Sequence, residues 1–105
     1  MSAPDRTTAA QNAINDTDLI RSDQDLRDLL RIERIPYRAV YKPGEVCRLL
    51  RISPTTLRQF CALAEPEGSR HHDPRALKSF MAGTHHRVQH SALVDWIARN
   101  RKTER

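Results

Sequence analysis

The sequence predicts one small, mainly α domain of the α+β class, and three observations lead to this prediction. A length of 105 residues allows a single domain with a modest core. Residues 41–58 contain two short stretches of helical apolar spacing, separated by a helix start signal. A basic, strand-like stretch at residues 84–89 precedes a capped apolar stretch, which predicts a strand followed by a last helix.

The first third of the chain predicts a disordered lead and then one helix. Residues 1–17 are polar and lack periodicity, as disordered segments do. An amphipathic helix is predicted within residues 18–36, because Ser22 opens a sequence like a capping box and Pro36 stops the apolar period. Its apolar face consists of Leu26, Leu29 and Leu30. Its charged face contains Asp23, Arg27, Asp28, Arg31 and Arg34, at spacings that permit ion pairs. The apolar face either covers the core of the domain or docks on a neighbouring protomer.

Two short helices joined by a tight turn are predicted next, after a short strand at residues 39–41. Pro43 and Gly44 end the short strand that precedes them. The apolar residues of the first helix then follow at helical spacing: Val46, Leu49 and Leu50. Ser53 followed by Pro54 starts the second helix, because the serine oxygen can accept from a free N–H and a proline at the first helical position loses no hydrogen bond.

The second of these helices has two unlike faces. Its apolar stripe consists of Leu57, Phe60, Cys61 and Ala64. Its opposite side is small, polar and basic and contains Thr55, Arg58, Gln59 and Ala62, with Thr56 at the edge. Such a face fits a DNA major groove, where threonine reaches phosphates or base edges and Arg and Gln offer paired donors to guanine or adenine. Spacing alone fits a solvated face on a small helical domain equally well.

A resemblance to a known family enters at these residues. The run Tyr41–Val46, followed by Leu49-Leu50, Ile52-Ser53 and Thr56-Leu57-Arg58, resembles the start of MerR-superfamily winged helix-turn-helix domains. That start has an aromatic residue, two variable residues and Gly-Glu-Val, and later Ser, two variable residues and Thr-Leu-Arg. Residues 84–97 are similar to the wing strand and following helix of the small excisionase branch of that superfamily. The resemblance spans roughly residues 39–100.

The resemblance implies a winged helix-turn-helix with a short β-wing, to which this chain adds an N-terminal helix. Residues 54–63 would be the recognition helix in the major groove. The predicted DNA contacts of this helix and its cap are Ser53, Thr55, Thr56, Arg58 and Gln59. The chain departs from the family at residues 65–83, which stand where the family has a glycine and a short hairpin.

This departing segment predicts a loop and a further short helix. Residues 65–68 contain Pro and Gly and predict a loop. Asp73 followed by Pro74 repeats the cap-and-proline start signal, and Gly83 would end the helix. The residues that would share a face of this helix are Leu77, Phe80 and Met81.

The stretch at residues 84–89 predicts the wing strand. If Val88 faces inward, strand alternation turns the predicted wing contacts outward: His85, Arg87 and Gln89. Arg87 is placed in or beside a minor groove, where narrow A·T-rich segments attract arginine. A solvated arginine at a strand edge is nearly as compatible with the pattern.

The last helix is predicted to begin at a Ser91 cap and to close the core beneath the wing. Its apolar residues are Leu93, Val94, Trp96 and Ile97. Four basic residues stand at and beyond the end of this helix: Arg99, Arg101, Lys102 and Arg105. Residues 101–105 are predicted to form a basic tail that either touches DNA backbone or is disordered.

Charge divides the chain into an acidic and a basic part. Residues 1–35 hold five basic and seven acidic residues, a net charge of −2, whereas residues 36–105 hold 13 basic and six acidic residues, a net charge of +7. Basic domains without a catalytic motif favour nucleic acid as a partner. The sequence contains no apolar run long enough to span a membrane and no signal peptide pattern, so we expect a cytoplasmic protein without a membrane partner.

The cysteines and histidines predict no metal site and no cofactor. Cys47 and Cys61 match no zinc-ligand spacing, and we expect both to be reduced core residues. The five histidines include two adjacent pairs, and adjacent residues on a strand point to opposite faces. Surface or phosphate-contacting imidazoles are therefore favoured over metal ligands.

These features bear on three classes of function: an excisionase, a transcriptional regulator and an enzyme. The resemblance implies an excisionase, or recombination directionality factor, that binds attachment-site DNA cooperatively as side-by-side protomers, bends it and promotes excision of a mobile element by a site-specific integrase. The alternative is a small MerR-like transcriptional regulator that binds promoter DNA. No effector domain or long dimerising helix follows the predicted domain, which favours the excisionase and predicts no small-molecule effector. For an enzyme we find no phosphate loop, nucleophile motif or carboxylate cluster.

Overall fold

The computed structural model describes residues 15–64 and 73–101. These residues form four helices and three strands: α1 (Asp16–Glu33), β1 (Val40–Tyr41), α2 (Pro43–Leu50), α3 (Pro54–Ala64), β2 (Phe80–Ala82), β3 (His85–Gln89) and α4 (His90–Asn100). The arrangement is a small, mostly helical α+β domain, which confirms the predicted fold class. The predicted lead up to residue 14, the loop at residues 65–68 and the tail beyond residue 101 lie outside the described residues.

Helix α1 begins earlier than its sequence signal indicated. Asn15 is the N-cap, and its Oδ1 accepts a hydrogen bond of 2.8 Å from the backbone N–H of Asp18. The predicted cap at Ser22 is therefore wrong: this serine lies inside the helix, fully buried, where its Oγ accepts a hydrogen bond from Arg101. The helix ends at Arg34, which adopts a left-handed conformation with φ of 60°, two residues before Pro36.

The three strands form one antiparallel sheet in the order β1-β3-β2. Strand β3 lies in the centre, where it pairs with β1 through Tyr41 opposite Val88 and with β2 through Phe80 opposite Arg87. Gly83, with φ of +68°, allows the tight turn between β2 and β3. The helix predicted from Asp73 to Gly83 is wrong, because residues 80–82 are extended and paired with β3 instead.

The core draws on every helix and on strands β1 and β3. Its buried apolar residues are Leu26, Leu30, Ile35, Tyr41, Val46, Leu49, Leu57, Cys61, Leu77, Val88, Leu93 and Val94. Of the two predicted roles for α1, covering the core is confirmed, because Leu26 and Leu30 are buried there. Burial of a leucine side chain contributes about 1.5–3 kcal/mol, so α1 is an integral part of the domain.

Helix α4 ties the end of the chain to two other segments. It begins at His90 with Gln89 as N-cap, so the predicted Ser91 cap is wrong. Trp96 packs against Phe60 at a ring distance of 5.7 Å and donates its indole N–H to the carbonyl of Arg75. Arg99 donates to the carbonyls of Pro74 and Ala76, which fixes the segment before β2. In the described part of the chain, no helix is long and apolar enough to cross a membrane.

Candidate nucleic-acid interface

A three-residue turn fixes the angle between α2 and α3. Arg51 adopts a left-handed conformation with φ of 58°, and Ile52 N–H donates to the carbonyl of Cys47, which ends α2. Ser53 then caps α3, since its Oγ accepts from the backbone N–H of Thr56 at 3.0 Å. Pro54 occupies the first helical position, as predicted.

Helix α3 has one buried and one exposed face, in the register that its sequence predicted. Leu57 and Cys61 are 3% and 1% exposed. The residues of the opposite face are all exposed: Thr55, Arg58, Gln59 and Ala62. The helix contains no acidic residue, so its exposed face offers hydroxyl, amide and guanidinium groups without an opposing carboxylate.

The hydroxyls of the predicted contact residues are not equally available. Ser53 Oγ donates to Thr56 Oγ1 at 3.0 Å while it accepts from the backbone of the same residue, so both side chains belong to the helix cap. Thr55 Oγ1 accepts a hydrogen bond of 3.3 Å from Arg58 Nη2. Among the described residues no carboxylate forms an ion pair with Arg58, unlike Arg48 and Arg51, which both pair with Glu33.

The predicted wing residues lie on the β2–β3 hairpin. Val88 is fully buried, as predicted, and His85 and Gln89 are exposed. Arg87 is half-buried, and its Nη1 donates to the backbone carbonyl of His86 at 3.0 Å. Phe80, directly opposite Arg87 on β2, remains 42% exposed, so the outer face of the hairpin is both basic and apolar.

A buried polar chain, which sequence reasoning missed, joins the hairpin to α1. His90 is 8% exposed, so its predicted surface position is wrong. Its Nδ1 lies 2.9 Å from the Tyr41 hydroxyl and its Nε2 lies 2.7 Å from Asp23 Oδ1. Arg27 Nε donates to the other oxygen of Asp23 at 2.7 Å. His90 and Asp23 are 67 residues apart in sequence, so no local sequence pattern predicts this series of hydrogen bonds.

One proton assignment satisfies every group of this chain. The backbone N–H of Arg38 donates to the Tyr41 oxygen, the Tyr41 hydroxyl donates to His90 Nδ1, and His90 Nε2–H donates to Asp23. The hydrogen bonds from Arg27 and His90 hold the pKa of Asp23 below its ordinary value, and burial raises the pKa of Tyr41. Both ring nitrogens of His90 are engaged, so this imidazole positions β3 and α4 against α1.

Both cysteines belong to the core, as predicted: Cys61 is one of its buried residues and Cys47 packs against it. Cys61 is buried and Cys47 is half-buried, and burial raises the pKa of the Cys47 thiol. Within residues 15–64 and 73–101, no group of three or more His, Cys, Asp and Glu side chains is placed to hold a metal ion. The adjacent pair at residues 71 and 72 lies outside these ranges.

No protein-family model, curated protein or solved structure matches the chain. A function is therefore inferred from the chain's own geometry and charge. The combination on which it depends is an exposed face of α3 that carries no carboxylate, together with a β3 strand that contains two histidines and Arg87.

Proposed function

We propose that the chain is a DNA-binding protein of the winged helix-turn-helix type that acts as an excisionase, or recombination directionality factor. In this function it binds attachment-site DNA cooperatively, bends it and promotes excision of a mobile element by a site-specific integrase. The observation that carries the proposal is the exposed face of α3, where Thr55, Arg58 and Gln59 point away from the buried stripe.

Helix α3 supplies the sequence-specific contacts in this proposal. A major groove about 12 Å wide admits one α-helix, provided that the helix presents a small polar face. Arg58 can offer two donors to guanine and Gln59 can pair with adenine. The serine and threonine of the cap, Ser53 and Thr56, hold the first turn of α3 and so fix the direction in which its exposed face points.

The β2–β3 hairpin supplies the contact in the neighbouring minor groove. Arg87 and His85 lie on the outer face of β3, and Gly83 makes the turn narrow enough to approach DNA backbone. Arginine in a narrow minor groove is attracted by the enhanced negative potential there. Arg87 therefore contributes affinity at many sequences, whereas Arg58 and Gln59 contribute discrimination.

The charge of the described segments agrees with this orientation. Residues 37–64 contain five basic residues and one acidic residue, and residues 73–101 contain five basic and two acidic residues. Helix α1 instead contains three basic and six acidic residues. Repulsion from phosphate favours an orientation in which α2, α3 and the hairpin face DNA and α1 lies on the distant side.

Cooperative binding that bends the DNA distinguishes the excisionase from the alternative, a transcriptional regulator that binds promoter DNA. The test uses duplexes with one and with several copies of a site selected from attachment-site flanks, together with a scrambled duplex. Gel shifts give affinity, and a circular-permutation gel gives the bend angle. We expect preferential, cooperative filling of the multiple sites and an increase in curvature.

Two controls make this test specific. Arg21→Ala removes an exposed arginine from α1 and should leave affinity unchanged, whereas Arg58→Ala removes the same charge from α3 and should weaken the selected site. Equal affinity of the wild type for selected and scrambled duplexes contradicts the proposed site. Specific binding without cooperativity or bending contradicts the excisionase and favours the regulator.

A further inference from the structure

A shallow apolar groove runs between α1 and α4. It is open to solvent along most of its surface and has a volume of about 530 Å³. Leu19, Ile20 and Val94 form its apolar part, and Ile20 is 69% exposed. Ile20 is thus the exposed member of this apolar group, since Leu19 is half-buried and Val94 is buried.

The rim of this groove is acidic. Asp23 and Asp95 line it directly, and Asp16 lies on the same face of α1 as Ile20 and Asp23, at helical spacings of four and seven residues. Asp23 is held by Arg27 and His90, and Asp95 by Arg99. Asp16 forms no ion pair among the described residues, so its charge is available to a partner.

The hairpin carries the complementary surface. Phe80 and Met81 of β2 are 42% and 53% exposed, and β2 is an edge strand, because β3 lies between it and β1. Positions 74–94 contain no acidic residue, and Lys78 and Arg87 flank the two apolar side chains. An exposed apolar edge strand is a template for association unless something covers it.

We infer that the β2 edge of one copy of this chain, with Phe80 on one face of the strand and Met81 on the other, docks edge-on into the α1–α4 groove of a second copy. Apolar groups meet apolar groups in this contact, and Lys78, just before β2, faces the acidic rim. The two surfaces differ, so the contact is heterologous and repeats from copy to copy. The approach through the β2 edge leaves α3 and the β3 residues His85 and Arg87 for DNA.

The contact between protomers would account for the cooperative DNA binding in the proposed function. Its role on DNA therefore rests on that proposed function. Protomers that bind adjacent DNA sites in one orientation would each present an open edge strand to the next protomer. Association through a repeating contact then aligns successive α3 helices along the duplex. The contact itself needs no DNA, so the two ideas can fail separately.

A charge-swap experiment tests the contact on the full chain without DNA. Phe80→Glu places a carboxylate opposite the acidic groove, and Ile20→Arg places a cation opposite the basic hairpin. Sedimentation velocity over a concentration series should show association of the wild type and at least ten-fold weaker association of each variant alone. An equimolar mixture of the two variants should associate again, because an alternating assembly joins the new carboxylate to the new cation at one junction and keeps the unaltered contact at the next.

Ile32→Arg is the matched control, since Ile32 is 67% exposed on α1 but does not line the groove. It should associate like the wild type, and circular dichroism should show that all three variants are folded. Association of Phe80→Glu or Ile20→Arg at the wild-type strength overturns the inference. Failure of the mixture to recover overturns it too, as does a wild type that is monomeric without DNA and fills tandem sites without cooperativity.

Two further measurements identify other occupants of the groove. If Ile20→Arg shifts the amide signals of residues 2–14 equally at all concentrations, the chain's own N-terminal segment fills the groove and the inference is wrong. If Ile20→Arg abolishes excision while cooperativity on tandem sites persists, the groove binds another protein and the inference is also wrong. Self-association that persists without any preference for the selected DNA contradicts the proposed function and leaves the contact standing.

Discussion

Leu57 and Arg58 are neighbours on α3 whose side chains have opposite environments. Leu57 is 3% exposed and packs in the core, whereas Arg58 is exposed and contacts the Thr55 hydroxyl. Their sequence order was enough to assign both faces, because a helical period places adjacent residues about 100° apart. The structure adds that Ser53 and Thr56 serve the cap, which spacing alone could not reveal.

Single substitutions at these neighbours should separate stability from recognition. Leu57→Ala should lower the free energy of unfolding by about 2–5 kcal/mol, since it leaves a cavity in the core. Arg58→Ala should leave stability within about 0.5 kcal/mol and cost about 1–3 kcal/mol of discrimination between selected and scrambled DNA. Urea titration and competition gel shifts measure the two quantities. Equal loss of affinity for both duplexes in Arg58→Ala would remove this residue from base recognition.

Asp23 makes the stability of the domain sensitive to acid. Its folded-state pKa is lower than its ordinary value of 3.8, because Arg27 and His90 donate to the carboxylate. The charged form therefore stabilises the fold above about pH 3.8, and the contribution is lost as the pH falls through the lowered pKa. Asp23→Asn should lower the free energy of unfolding by about 1 kcal/mol at neutral pH. This is the contribution expected of one hydrogen bond to a charged group that is partly exposed to solvent.

This cost should disappear in acid, which urea titrations at pH 7 and pH 2 would show. Asp28→Asn is the control, because Arg31 and Gln24 lower the pKa of Asp28 at a position whose side chain is 47% exposed, where solvent screens the pair. A difference between wild type and Asp23→Asn that stays constant from pH 7 to pH 2 would show that the carboxylate charge does not stabilise the fold.

At the scale of the element, the hairpin was the part that sequence reasoning mistook. Leu77, Phe80 and Met81 have helical spacing, and Asp73-Pro74 and Gly83 have the chemistry of helix ends. Strand pairing with β3 outweighs these local signals, because Phe80 and Ala82 gain cross-strand partners that sequence spacing does not register. Helices α2 and α3 were predicted correctly, since their caps and apolar stripes are local features.

Substitution by alanine at the two described glycines should change the free energy of unfolding in opposite directions. Gly83 has φ of +68°, so Gly83→Ala should cost about 1 kcal/mol of backbone strain in the hairpin turn. Gly44 lies in the first turn of α2, and Gly44→Ala should instead stabilise the fold by about 0.4–1 kcal/mol. A Cβ at either position meets no atom within 4 Å, so packing does not obscure the comparison. Urea titration of both variants measures it, and stabilisation by Gly83→Ala would contradict the turn geometry.

At the scale of the whole molecule, α1 packs against both α2 and α4 and carries most of the acidic residues of the described segments. Its 18 residues span about 27 Å, from Asp16 beside the groove to Glu33 beside α2. This distance exceeds the screening length of about 10 Å at 0.1 M salt, so charges at the start of α1 scarcely affect groups near α2. The charge division was visible in the sequence, but its separation in space depends on how α1 packs on α4.

Asp16→Asn should therefore affect contacts between protomers and leave the affinity for a single DNA site unchanged. An exposed ion pair contributes about 0.2–1 kcal/mol, so cooperativity on tandem sites should fall by up to about five-fold. Asp28→Asn removes the same charge from a part of α1 that does not line the groove and should leave cooperativity intact. Footprint titrations on one-site and two-site duplexes at 0.05 M and 0.3 M salt distinguish these effects, because screening should abolish the difference at the higher salt. A change in one-site affinity with Asp16→Asn would place the start of α1 near DNA and reverse the proposed orientation.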